Sequence, residues 1–311
     1  MAWTISEQIS HPGCGIVNDT VGSPPVRLDA QLVADLPGGP DFERVVSMVN
    51  DLAEFYLMAA GDAFGVLSPV ELHARGFGEV ASARSRLLFF CRLLYLRAAE
   101  LLPSAVRAVN ESRLISFALA TRGLLETAAV AGYHAECLAI EEGATALPGD
   151  YLNRLRAAVL AGRFDWQRYF ADPAARLRLI EAYDANPGDQ QPPDAARNIV
   201  TMVDKLGRRL GRTIPKARGT IHFDYALLSD ICHPSAGSNL IFLAGSEPQM
   251  RAELVPQRVT LLGLATLLLP CLAYSGAALK GILAELEELD QRLTKMPTPG
   301  NPPPSADRPS A

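Results

Sequence analysis

At 311 residues, with 49% hydrophobic and 20% charged side chains, the chain is long enough to bury a substantial core. Its net charge of −5 excludes wholesale coating of nucleic acid, which calls for a basic excess to neutralise phosphates. The five cysteines, at 14, 91, 137, 232 and 271, are odd in number and include no CxxC pair to clip a metal or form a redox couple, so a reducing compartment fits best.

Residues 1–40 are rich in Gly and Pro (HPGCG, GSPP, LPGGP) and read as a loop-rich extension. They hold no basic leader followed by an apolar run, so no secretory signal is expected and the protein reads as cytoplasmic. From Asp41, Val45, Met48, Val49, Leu52, Phe55 and Tyr56 recur at helical spacing. SPVEL at 68–72 offers a Ser cap with Pro at the first helical position and predicts a short helix. Longer helices are expected from about 80 to 102 and, after Pro103, from about 110 to 142. Further helices are expected over 150–163, 173–184, 195–210, 220–233 and 257–294, with NPGDQQPP at 186–193 as a break. SNLIFLAG at 238–245 is the one stretch that reads as a short strand. The expected fold is therefore all-α: a multi-helix bundle with long central helices over 41–295. The Pro-rich tail 296–311 has too few apolar side chains to offset its ordering entropy and is expected to be disordered.

Two features stand out from this pattern. Residues 259–279 form a run of 21 residues without a charge, long enough to span a bilayer. Thr, Gly, Pro, Tyr and Ser dilute it and an acidic amphipathic segment continues it, which favours a central helix of a soluble bundle. The second feature is TRGLLETAAV at 121–130, where Arg122 and Glu126 are the only formal charges between Leu114 and Ala135. At i and i+4 they are helical neighbours, in line with Ile115, Ala118, Leu119, Ala129 and Tyr133. A helix that is apolar all round is normally buried, so the two charges need each other and further partners. They form either a structural ion pair or the wall of a polar pocket, in which the guanidinium holds an anion and the carboxylate orients a base or a water.

The partner segment is HFDYALLSDICHPSAGSN. On a helix begun near Thr220, His222, Tyr225, Ser229 and His233 share a stripe, and Pro234 ends the helix at His233. The turn residues that follow include Asn239. A metal site built from His222, His233 and Glu126 would be expected to show Glu-x-x-His pairs, and none occurs. A Ser229/Asp230/His233 hydrolase is disfavoured because Asp230 points away and no GxSxG elbow exists. Upstream, Lys205, Arg208, Arg209, Arg212, Lys216 and Arg218 form a basic run, read as a solvated face opposite the acidic ELEELD at 285–290.

The two motifs together, Arg122-x-x-x-Glu126 and Tyr225-x-x-Leu228-Ser229-x-x-x-His233-Pro234, resemble those of a family of uncharacterised bacterial all-helical proteins. In outline that family is similar to HEPN domains, helical modules of prokaryotic toxins and defence systems, many of them metal-independent ribonucleases. The resemblance implies a helical binding or regulatory module in bacterial defence or stress, with Arg122, Glu126 and His233 as hypothetical catalytic residues. Tyr225, Ser229, His222 and Asn239 would be binding residues, and neither a cofactor nor a metal is implied. HEPN nucleases resemble one another through an Arg-x4-6-His motif on one helix. Here Arg218 and His222 are too close and Arg122 and His134 too far apart. A ribonuclease would need Arg122 and His233 brought together from two helices, with RNA steered along 205–218 and a homodimer as the assembly.

Overall fold

The computed structural model describes residues 25–36, 40–64, 83–144, 147–160, 178, 181, 198–233 and 255–295. The expected elements at 68–72, 173–184, 238–245 and 296–311 lie outside the described residues, apart from 178 and 181. Eight helices are described: α1 (Ala30–Asp35), α2 (Pro40–Phe64), α3 (Ala83–Asn110), α4 (Leu114–Leu138), α5 (Tyr151–Leu160), α6 (Ile199–Gly211), α7 (Ala217–Cys232) and α8 (Val255–Lys295). No strand occurs among the described residues, and the fold is an all-α bundle.

Helices α2, α3, α4 and α8 pack around the principal core. At its centre α8 carries a glycine: a Cβ on Gly276 would stand 3.0 Å from Leu52 Cδ1 and 3.1 Å from Leu102 Cδ1. The missing side chain lets α8 approach α2 and α3 closely. The carbonyl it exposes accepts a 2.7 Å hydrogen bond from the buried Tyr56 hydroxyl. Helices α6 and α7 form a hairpin that packs mainly on α4 and touches α8 only lightly. Gly207 allows the hairpin to close, with its Cβ position 3.2 Å from the backbone of Arg218. Helix α5 leans on α3 and α4.

Two features differ from the expected ones. Pro103 does not end a helix: α3 runs through it to Asn110. Proline costs a helix one hydrogen bond and a local clash, about 3 kcal/mol. Leu102, Ala105, Val106 and Val109, all buried, hold both flanks in place. The chain instead turns at Glu111–Arg113, with Ser112 left-handed at φ 59° and the Arg113 N–H donating to the Ala108 carbonyl. Within the loop-rich N-terminal region the structure adds α1, capped by the Asp29 carboxylate. Asn50 accepts from the Leu28 N–H, and Asn110 bridges the Asp29 N–H and the Arg27 carbonyl. These bonds seat Leu28, Leu32 and Leu36 on the core.

Candidate functional site

Helices α4 and α7 run antiparallel, and their facing sides carry the polar residues. On α7 the fully buried stripe is Ile221, Asp224, Leu228 and Ile231. His222, Tyr225, Ser229 and Cys232 flank it in a half-buried row. On α4 the Arg122 Nε donates to Glu126 Oε1 at 2.9 Å. Tyr225 joins them: its hydroxyl donates to Glu126 Oε1 at 3.4 Å and lies 3.5 Å from an Arg122 terminal nitrogen. The guanidinium carbon stands 5.4 Å from the Tyr225 ring centroid, within cation–π range. The side chains of Arg122 and Glu126 are 22% and 27% exposed, so the pair is largely but not wholly withdrawn from water.

The electrostatics follow from this geometry. Burial pulls the Arg122 pKa down, but the Glu126 hydrogen bond and charge, helped by Tyr225, outweigh it and leave the pKa raised. Burial raises the Cys232 thiol pKa, and the nearby charge of Arg122 opposes that rise. Ser229 lies between Tyr225 and Cys232 on the same row, and its Oγ is buried without a hydrogen-bond partner. The result is a guanidinium held by Glu126 and Tyr225, with a buried, unused hydroxyl on the same row of α7 as Tyr225. Such a group can hold an anion with little further loss of side-chain freedom.

The remaining predicted site residues lie elsewhere. His222 turns to α6, where its Nε2 meets Asp204 Oδ1 at 3.0 Å, and it takes no part in the Arg122 cluster. His233 caps the C-terminus of α7 in extended backbone, is exposed, and donates its N–H to the Ser229 carbonyl. Pro234, which follows it, lies outside the described residues. Asn239 lies outside the described residues. Among the described residues no group of three or more His, Cys, Asp or Glu side chains is placed to hold a metal.

Sequence reasoning missed two polar centres. The first is Asp204 on α6, which accepts from His222, Arg208 and Arg218. The hydrogen bond from His222, then that from Arg208, hold its carboxyl down at about 2. Much of the basic run is spoken for, with Arg209 paired to Glu285 of α8 and Lys205 4.5 Å from the Tyr133 ring centroid. The second centre is Asp224, a buried carboxyl near the Cys271 thiol of α8 that burial pushes up to about 6. Its 221/224/228/231 spacing marks it as a core position, a signal that the motif residues around it obscured.

No known protein family, curated protein or solved structure matches the chain.

Proposed function

We propose that the protein is a helical binding or regulatory module that uses the Arg122–Glu126–Tyr225 cluster to hold an anionic group. The observation that carries this reading is the Arg122 side chain, largely withdrawn from water, with its guanidinium fixed by Glu126 at 2.9 Å and stacked by Tyr225. A guanidinium already oriented on its own helix gives up little rotamer entropy on meeting an oxyanion. The motif resemblance supplies the setting, bacterial defence or stress in the cytoplasm. The ribonuclease reading draws less support, because His233 sits at the exposed C-terminal end of α7 and shares no hydrogen bond with the Arg122–Glu126–Tyr225 cluster.

Thermal unfolding in inorganic phosphate, against chloride at equal ionic strength, tests the reading. Phosphate is expected to raise the midpoint by several degrees in the native protein and not in Arg122→Ala; equal shifts in both proteins overturn it. Structured RNA incubated with the protein in EDTA tests the nuclease alternative, which requires cleavage that is lost in His233→Ala.

A further inference from the structure

Beyond that cluster, a cavity of about 780 Å³ opens where the α6–α7 hairpin diverges from α8 and the C-terminal end of α4. Its volume falls in the range of sites that enclose small ligands, about 300–1,000 Å³. One side presents branched aliphatic chains, Leu206, Leu210, Ile214 and Ile221. The opposite side is cut back to small residues, Ala135 on α4, Ala139 just past its end, and Ala277, Ala278 and Gly281 on α8. A Cβ on Gly281 would meet no atom within 4 Å, so the space there is open. Leu206 and Ile221 are themselves buried, whereas Ile214 is 47% exposed and leaves aliphatic surface open at the cavity.

The lining also says what would fit. Its one aromatic ring is Tyr274, 43% exposed, so a flat ligand would find little to stack on, whereas an alkyl chain matches the aliphatic side. The charges are unevenly placed. Arg209 and Arg212 both line the cavity at the α6–α7 turn. Arg209 is neutralised by Glu285, while Arg212 makes no ion pair among the described residues. Residues 212–216 contain no acid, and the remaining carboxylate of the lining, Glu136, belongs to α4 on another wall.

We infer that this cavity is a binding site for an aliphatic monocarboxylate, with its chain along α8 and its head group at Arg212. Burial of the chain drives binding, and the charge-assisted bond to the guanidinium selects the carboxylate. The site shares no side chain with the Arg122 cluster, so it stands or falls separately from the function proposed above.

Calorimetric titration with dodecanoate below its micellar concentration, with dodecanol as the neutral control, decides the matter. Saturable binding of dodecanoate is expected, at least tenfold weaker in Gly281→Phe with the helical circular-dichroism signal retained. Gly281→Leu serves as a smaller obstruction if the phenylalanine variant fails to fold. Arg212→Ala is expected to weaken dodecanoate about tenfold while leaving dodecanol within a factor of two. Three outcomes overturn the inference: no saturable binding, undiminished binding in the obstructed variants, or dodecanol binding as tightly as dodecanoate. A native dimer that Gly281→Phe dissociates would also overturn it, by making the cavity an interface between copies.

Discussion

The Arg122–Glu126 pair is the clearest case of a residue-scale feature that can be read in one dimension and completed only in three. Its i,i+4 spacing and apolar surroundings are explicit in the sequence, and the 2.9 Å contact follows from helical geometry. Tyr225 could be placed on a facing stripe by the same periodicity. Cys232 and Asp204 could not, since their roles depend on which face of α7 meets α4 and which meets α6. Removing Arg122 strands a carboxylate that keeps Tyr225 and some water, so Arg122→Ala is expected to cost about 2 kcal/mol, less than for a fully buried pair. An Arg122→Met/Glu126→Leu double variant should recover most of that loss in urea unfolding; an additive loss would mean that the pair is held by more than mutual need. Asp224 gives a prediction of different form. Its pKa is raised from 3.8 to about 6, so the fold favours the neutral acid. The contribution is full below about pH 3.8 and is lost as pH rises through about 6. Asp224→Asn should therefore be more stable than the native protein at pH 8, by about 1–3 kcal/mol, and nearly equal to it at pH 4. Urea midpoints at the two pH values check the sign, and a benefit confined to pH 4 would contradict it.

At the scale of elements, the helices with sustained 3.6-residue periodicity were legible: α2, α4, α6, α7 and α8 each begin and end within a few residues of the expected bounds. The misreadings have local causes. Proline is a strong stop signal in isolation, but Pro103 is buried between flanks that the core holds helical, and the true turn at Glu111–Arg113 carries neither Gly nor Pro to mark it. Helix α1 is six residues long and is fixed by asparagine side chains from α2 and α3, contacts that no local pattern encodes. The two crossing glycines tell the same story, since a glycine inside a helical pattern reads as a weakness until its neighbours are known. Gly276 sits 3.0 and 3.1 Å, measured from its Cβ position, from leucine methyls of α2 and α3. Gly276→Ala should gain about 1 kcal/mol of helix propensity and lose more to overpacking, for a net cost of about 1–2 kcal/mol. Gly281→Ala, on the same helix with open space at its Cβ position, should instead stabilise by up to about 1 kcal/mol. Guanidinium unfolding of the two variants separates packing from propensity, and a destabilised Gly281→Ala would show that propensity does not govern the open site.

At the scale of the whole molecule, the decisive segment is the long uncharged part of α8. By length and composition both α4 and the described part of α8 could cross a bilayer, so composition alone does not choose between a membrane and a bundle core. Packing favours the bundle. Leu268, Leu269, Leu272 and Leu279 of α8 are buried against its partners, and among the described side chains of α8 the large apolar ones exposed are Leu267 and Tyr274. The neighbouring helices turn charge outward at the same time: Glu43 and Arg44 on α2, and Arg97, Glu100 and Arg107 on α3, are exposed. A lipid-facing bundle would have to bury those charges in hydrocarbon at several kcal/mol each, whereas water solvates them at no such cost. The protein is therefore expected in the supernatant when a detergent-free lysate is cleared by ultracentrifugation, and to elute as a folded helical species without lipid. Recovery confined to the membrane pellet and resistant to an alkaline carbonate wash would reverse the assignment, because a bundle with this charged exterior has no other means of staying in a bilayer.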